Sequence, residues 1–212
     1  MKLSLDTVMQ VKQNALLGLE NFLLKRLDSQ DEKQIKIVQT MSFWILDYIR
    51  LQTYETHYIR YKKYKRGDVI KVNFGHRIGR EHGGLHYAIV IDNDNALASN
   101  TITVIPLSSF KSHLDKNHLG KDRLYLGIEI YKLLIDKLNS LNSHSQEATV
   151  VKKELSRMKT GTIALIGQIT TISKYRIYDP LSTKNALHKI RLSDNTLDDI
   201  DCKIRELFTH NN

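Results

Sequence analysis

Arg66-Gly67-Asp68-Val69-Ile70-Lys71-Val72-Asn73-Phe74 carries the alternation from which the architecture of this chain follows. From Val69 to Phe74, β-branched and aromatic residues alternate with polar ones, the period-two pattern of a strand that buries one face. The basic run Arg60 to Arg66 leads into it, and a glycine-bounded loop, Gly75 to Gly84, leads out. Two more apolar runs follow, Leu85 to Ile91 and Thr101 to Leu107, with a turn rich in Asp and Asn between them. Leu124 to Ile130 reads as a strand in competition with a helix, because the apolar pattern continues through Tyr131 to Leu138. Gly161 to Ile169 is again rich in strand formers. Together these runs predict a small antiparallel β unit.

Upstream the period changes. Val8, Val11, Ala15, Leu16, Leu19, Phe22, Leu23 and Leu27 recur at three-and-four spacing and predict a helix over Asp6 to Leu27. The polar cluster Asp28 to Lys33 interrupts it, and Ile35, Val38, Phe43, Ile45, Leu46, Ile49 and Leu51 resume an apolar face. Phe43, Trp44 and Tyr48 read as packing within this helical hairpin, since their neighbours share its periodicity. A lone helix pair cannot bury both faces, so its outer stripe needs a docking partner. Downstream, residues 131 to 159 read as a helical insertion broken near Asn139 to Gln146. A last helix starts at Ser193 as N-cap and carries Leu197, Ile200, Ile204 and Leu207 on one face. The predicted domains are a hairpin at 1–59 and a core at 60–212.

Composition narrows the function. The chain has 212 residues, 41% of them hydrophobic, with only two prolines, which suits a compact domain plus an accessory element. Its one cysteine, Cys202, excludes an intramolecular disulfide and a cysteine-based metal site, and reads as a small half-buried helix residue. The N-terminus lacks a signal-peptide pattern and no run is long enough to span a bilayer, so the expected location is the cytoplasm. Residues 1–59 hold seven Lys/Arg and seven Asp/Glu, whereas 60–212 hold 25 and 16, so the whole formal charge of +9 lies in the second part. That asymmetry points to a polyanionic partner of the core.

Four segments in order carry a resemblance. They are Arg66-Gly67-Asp68-Val69-Ile70; Gly79-Arg80-Glu81-His82-Gly83-Gly84 running into His86-Tyr87-Ala88-Ile89-Val90-Ile91-Asp92-Asn93-Asp94; Val104-Ile105-Pro106-Leu107-Ser108-Ser109; and Gly167 to Ile177. This part of the chain resembles the MazF/PemK family of type II toxin endoribonucleases. The resemblance implies an α+β fold: an SH3-like small β-barrel of the MazF/PemK/CcdB kind, here with the N-terminal hairpin, the helical insertion and the C-terminal helix added. It also implies cleavage of single-stranded RNA without metal or other cofactor, a cognate antitoxin and a homodimer. The implied chemistry is attack of a ribose 2′-oxygen on the neighbouring phosphate, which requires a base, an acid for the leaving oxygen, and donors for the phosphorane.

Where the family carries Arg of an Arg-Pro pair and Thr at the end of the later strand, this chain has His86 and Ser108. Ser108 keeps a hydroxyl donor, while His86 exchanges a permanently charged fork for a group that titrates near neutrality. Arg80 is the candidate for the missing cation, completing an expected catalytic set of His86, Ser108 and Arg80. Arg77, Glu81 and His82 in the same loop are expected to contact RNA or hold the loop. The run Arg60 to Arg66, with Lys63, Lys65 and Arg66, interleaves cations with Tyr61 and Tyr64 in a pattern suited to phosphate contact and base stacking. Lys71 and Lys174 extend that patch. His82 and His86 have the four-residue spacing of a helical zinc pair, but Gly83-Gly84 opposes a helix, so no metal is expected. His113 and His118 read as solvated. Two competing functions are a catalytically weakened binding module of the same fold, acting on nucleic acid or on a protein as the gyrase-poisoning relative CcdB does, and a brake or oligomerisation arm for the helical hairpin.

Overall fold

The computed structural model describes residues 4–54, 62–111, 114–158 and 161–210. The chain divides into two compact units, Met1–Thr56 and His57–Asn212. In the first, helix α1 (Leu5–Asp28) starts at Ser4, whose Oγ accepts the Thr7 amide at 3.2 Å, with Asp6 in the first turn and Lys25 and Arg26 in the last complementing the helix dipole. The predicted second helix is α2 (Glu32–Tyr54), and the two pack together across the turn Ser29–Asp31. No residue of α1 is buried, and Leu16, Phe43 and Leu46 are each more than half exposed. Among the described residues no helix is long and apolar enough to cross a membrane.

The second unit is an antiparallel sheet with helices. Its strands are β1 (Val69–Asn73), β2 (Leu85–Val90), β3 (Thr101–Ser109), β4 (Arg123–Gly127), β5 (Thr162–Leu165), β6 (Thr170–Ser173) and β7 (Ile177–Asp179). Helices α3 (Glu129–Ser140) and α4 (Gln146–Arg157) lie between β4 and β5 in the chain, and α5 (Asp194–Phe208) ends it. The competition at Leu124–Ile130 is settled by division: β4 ends at Gly127, whose φ of +68° a residue with a Cβ would resist, and α3 begins two residues later.

Strand order is β4-β5-β3-β2-β1-β7, with β6 also paired to β3. The expected closed barrel is therefore corrected to an open sheet: among the described residues no ladder joins the end strands β4 and β7. Both are poor templates for closure, since β7 is three residues long and runs into Pro180, and β4 carries a register shift between Tyr125 and Gly127.

β3 is the hub. Ile91 donates its amide to Thr103 O at 3.1 Å and Phe110 donates to Gly161 O at 3.0 Å, so odd-numbered residues of β3 turn their backbone groups to β2 and even-numbered ones to β5 and β6. Pro106, with no amide hydrogen, thus fails to donate on the β5/β6 side, and there the partner chain leaves the ladder as the single 3₁₀ turn Ile166–Gln168. That turn is why the strand-rich run Gly161–Ile169 yields a β5 of only four residues. On the other side the β2–β3 ladder stops at Ala88↔Pro106, while β2 continues along β1 to Asn73↔Leu85 and β3 along β5 to Ser109↔Thr162. The sheet forks beyond that point.

Both faces of the sheet are covered. One cluster, including Val69, Ile89, Ile105 and Leu107, packs with Ile130 and Leu134 of α3, Val151 of α4 and Leu197 and Ile200 of α5. The other, including Ile70, Val72, Ala88, Val90, Val104 and Ile172, closes around Phe74 and Tyr64. Ser193 stands at the N-cap of α5 but does not cap a backbone amide; its Oγ donates to Thr196 Oγ1 at 3.1 Å and its own amide goes to Glu129 Oε1 at 2.6 Å. Cys202 is exposed, not half-buried, because the buried stripe of α5 is already filled by Leu197 and Ile200.

Candidate nucleic-acid cleft

The Arg-Gly-Asp segment fastens the sheet to the C-terminal part. Asp68 Oδ1 accepts Arg191 Nε and Nη2 at 2.8 and 2.7 Å, and its Oδ2 accepts the Lys65 amide at 2.8 Å. Gly67 has φ +81°, and a Cβ there would stand 3.0 Å from Leu197 and 3.1 Å from Arg191. Arg66 donates to Ile91 O and to Asp201 of α5, which ties its guanidinium to that helix. Lys63 pairs with Asp94 at 3.4 Å, and the Lys65 side chain is exposed. Tyr64 corrects the stacking expectation: it is 2% exposed and donates its hydroxyl to Pro180 O at 3.0 Å, leaving no ring face for a base. Lys174 is likewise buried, donating to Ala96 O at 2.9 Å, and does not extend a surface patch. Arg60, Tyr61 and His113 lie outside the described residues. His118 is exposed and bonded to Asp115 at 2.6 Å.

The fork between β2 and β3 opens a cleft of about 260 Å³, lined by His86 and Ser108. Extending the register past Ala88↔Pro106 would set these two residues opposite one another. Alternation puts them on one face, with Ala88, Val90 and Val104. Lys71 and Tyr87, cross-strand partners, belong to the opposite face and line the cleft from there together with Ser109, Lys111 and Arg157. Among the described residues no Asp or Glu lines it. Burial lowers the pKa of His86 below the ordinary 6.5, against the Gly83 backbone, which favours its charged form, so the imidazole is neutral at pH 7.

Arg80 does not line this cleft. It lines an adjoining recess of about 300 Å³ with Arg77, Glu81, His82 and the 3₁₀-turn residues Gly167 and Gln168. The loop is pinned over that recess: Gln168 Oε1 accepts the His82 amide at 2.6 Å, Gln168 Nε2 donates to Arg80 O at 3.3 Å, and Glu81 stands 4.0 Å from Arg77. The two hollows meet at a pair of rings, His82 and His86, with centroids 4.0 Å apart. Burial, then His86, then Arg77, push the pKa of His82 down to about 4, and its buried Nε2 has no hydrogen-bond partner among the described residues. The sequence-derived catalytic set is thus brought together as His86 with Ser108, and Arg80 is one cavity away.

Three cleft residues, Tyr87, Lys111 and Arg157, and Glu154 behind the cleft wall carry chemistry that the sequence reading did not assign. Glu154 is 6% exposed on α4, accepts Lys71 Nζ at 2.5 Å and accepts the Tyr87 hydroxyl. Its signal was a carboxylate within the apolar stripe Ala148, Val151, Leu155, Met158, which implies a buried cation. Among the described residues no group of three or more His, Cys, Asp or Glu is placed to hold a metal ion. The family model of the PemK-like, MazF-like toxins of type II toxin–antitoxin systems matches residues 65–208, more than half of the chain. No curated protein matches it.

Proposed function

The chain belongs to the PemK-like, MazF-like toxin family of type II toxin–antitoxin systems, whose toxins are held by an antitoxin, and from that premise we propose that it is a metal-independent, sequence-selective endoribonuclease that cuts single-stranded RNA at the fork between β2 and β3. The observation that carries this reading is the content of the cleft: a neutral imidazole and a hydroxyl on one face, three cations on the other, and no carboxylate lining it. A phosphodiester strand matches that lining in charge, and its 2′-hydroxyl needs a base of this kind.

In the proposed reaction the 2′-oxygen attacks phosphorus and its proton passes to the neutral ring of His86. The Ser108 hydroxyl donates to a phosphoryl oxygen as negative charge gathers there. The P–O5′ bond breaks, the 5′-oxygen leaves with a proton from water, and His86 returns its proton to solvent. The products are a 2′,3′-cyclic phosphate and a 5′-hydroxyl. Arg77 and Arg80, in the adjoining recess, neutralise phosphates further along the strand. The enzyme works in the cytoplasm as a homodimer.

Incubation with single-stranded RNA in EDTA should yield fragments that polynucleotide kinase labels without prior phosphatase treatment; intact RNA across many sequences, with the protein folded, overturns the proposal. The replacement of the family arginine by His86 favours one other reading, a binding module that has lost cleavage. RNA binding without cleavage, unchanged in His86→Ala, is its signature.

A further inference from the structure

Helix α4 reaches into the cleft in two ways. Arg157, at its last turn, lines the cleft directly and makes no ion pair among the described residues. Three residues earlier, Glu154 lies beneath the wall and accepts both Lys71 Nζ at 2.5 Å and the Tyr87 hydroxyl. Lys71 therefore comes from β1, its anchor from α4, and the second ligand of the anchor from β2. The ammonium has three donors. One goes to Glu154, its Nζ sits 5.3 Å from the Tyr87 ring centroid, and no other hydrogen bond to it is made among the described residues. Lys111, just past the end of β3, adds a third cation without an ion pair among the described residues.

An ion pair this enclosed is costly to bury and stands only if its geometry is well satisfied. A lysine that served packing alone would be matched by an apolar side chain. Here the Lys71 and Glu154 side chains are 14% and 8% exposed, only Lys71 of the two lines the cleft, and two of its donors meet no acceptor among the described residues. The pair has the form of a fixed cation presented to an anion.

We infer that Lys71 and Arg157 form a phosphate-binding subsite on the α4 side of the fork, holding a backbone phosphate next to the one at His86 and Ser108, with Glu154 as the residue that positions Lys71. The inference rests on the reading of the cleft as an RNA site. It makes the end of α4 part of the RNA-binding surface.

The test is the salt dependence of binding, measured by fluorescence anisotropy with a single-stranded RNA whose 2′-oxygens are methylated so that it cannot be cut. Each lost phosphate contact lowers the slope of log K against log salt by about 0.7 for a single strand. Arg157→Ala should lower it by about that amount, and so should Lys71→Met. Because Lys71→Met leaves a buried carboxylate unpaired, Lys71→Met combined with Glu154→Gln repeats the measurement with no orphaned charge. Glu154→Gln alone should weaken binding several-fold at an unchanged slope, since the cation stays but loses its anchor, with a thermal melt of the variant separating this from a general loss of fold. Wild-type slopes in Arg157→Ala and in the double variant overturn the subsite while leaving the RNA site intact. No binding of RNA by the wild-type chain, with tight binding of an acidic peptide, overturns the RNA reading itself.

Discussion

His86→Gln keeps a polar side chain at the fork but removes the group assigned to take the 2′-hydroxyl proton. The size of the loss follows from that role: a positioned general base contributes about 10²–10⁴ in rate, or roughly 3–5 kcal/mol of barrier at 1.36 kcal/mol per tenfold. The pH profile follows from the burial of the ring. Its pKa lies below the ordinary 6.5, so at pH 7.5 about ten or more neutral rings stand for each charged one. Wild-type cleavage should therefore be flat above about pH 7.5 and fall as pH drops through the lowered value, about tenfold per unit well below it. The assay is single-turnover cleavage of a 5′-labelled RNA from pH 5 to 9, with thermal melts of both proteins as the folding control. A profile in the wild type that rises towards acid, or a His86→Gln rate within about threefold of wild type, refutes His86 as the base.

Two further outcomes are expected. The folded-state pKa of His82, about 4, lies below the unfolded value, so the unfolded chain binds a proton that the folded chain refuses between pH 4 and 6.5. The stability this contributes is complete above pH 6.5 and is lost as pH falls towards 4, about 1–2 kcal/mol once solvent screening of a partly exposed ring is allowed for; urea melts at pH 7.5 and 5 should show a smaller pH effect in His82→Gln, and identical pH dependence in the two proteins rules this out. Arg66→Ala should leave RNA affinity within about twofold and lower stability by about 1–2 kcal/mol, because its hydrogen bonds hold α5 to Ile91, the residue after β2; a tenfold loss of affinity at unchanged stability places Arg66 on the RNA surface.

Periodicity located both helices of the hairpin, β1 to β3 and α5: the strands and α5 bury a continuous stripe, and the hairpin helices carry an apolar stripe that stays largely exposed. Barrel closure was not legible. It depends on whether β4 and β7 meet, and a register shift and a proline, features of geometry more than of pattern, keep their edges apart. At the site, the segment order gave His86 and Ser108 one location, which the fork provides. Tyr64 misled because an exposed-looking basic and aromatic run reads alike whether its partners are solvent or residues more than a hundred positions away, as Pro180 is, and Asp201 stands equally far along the chain from Arg66. Glu154 was legible in principle as a charge within an apolar stripe, yet the identity of its partner on β1 depended on tertiary packing.

Pro106 carries a consequence of its own. The hydrogen bond missing at its nitrogen is absent by covalent chemistry, so no fluctuation of the neighbouring chain can knit β3 to the turn at Ile166–Gln168 there. The hollow beside it is therefore open in the fold as it stands. If the proposed RNA site is correct, a nucleotide entering there would not have to prise strands apart, and its capture would be favoured by the arginines that line the recess.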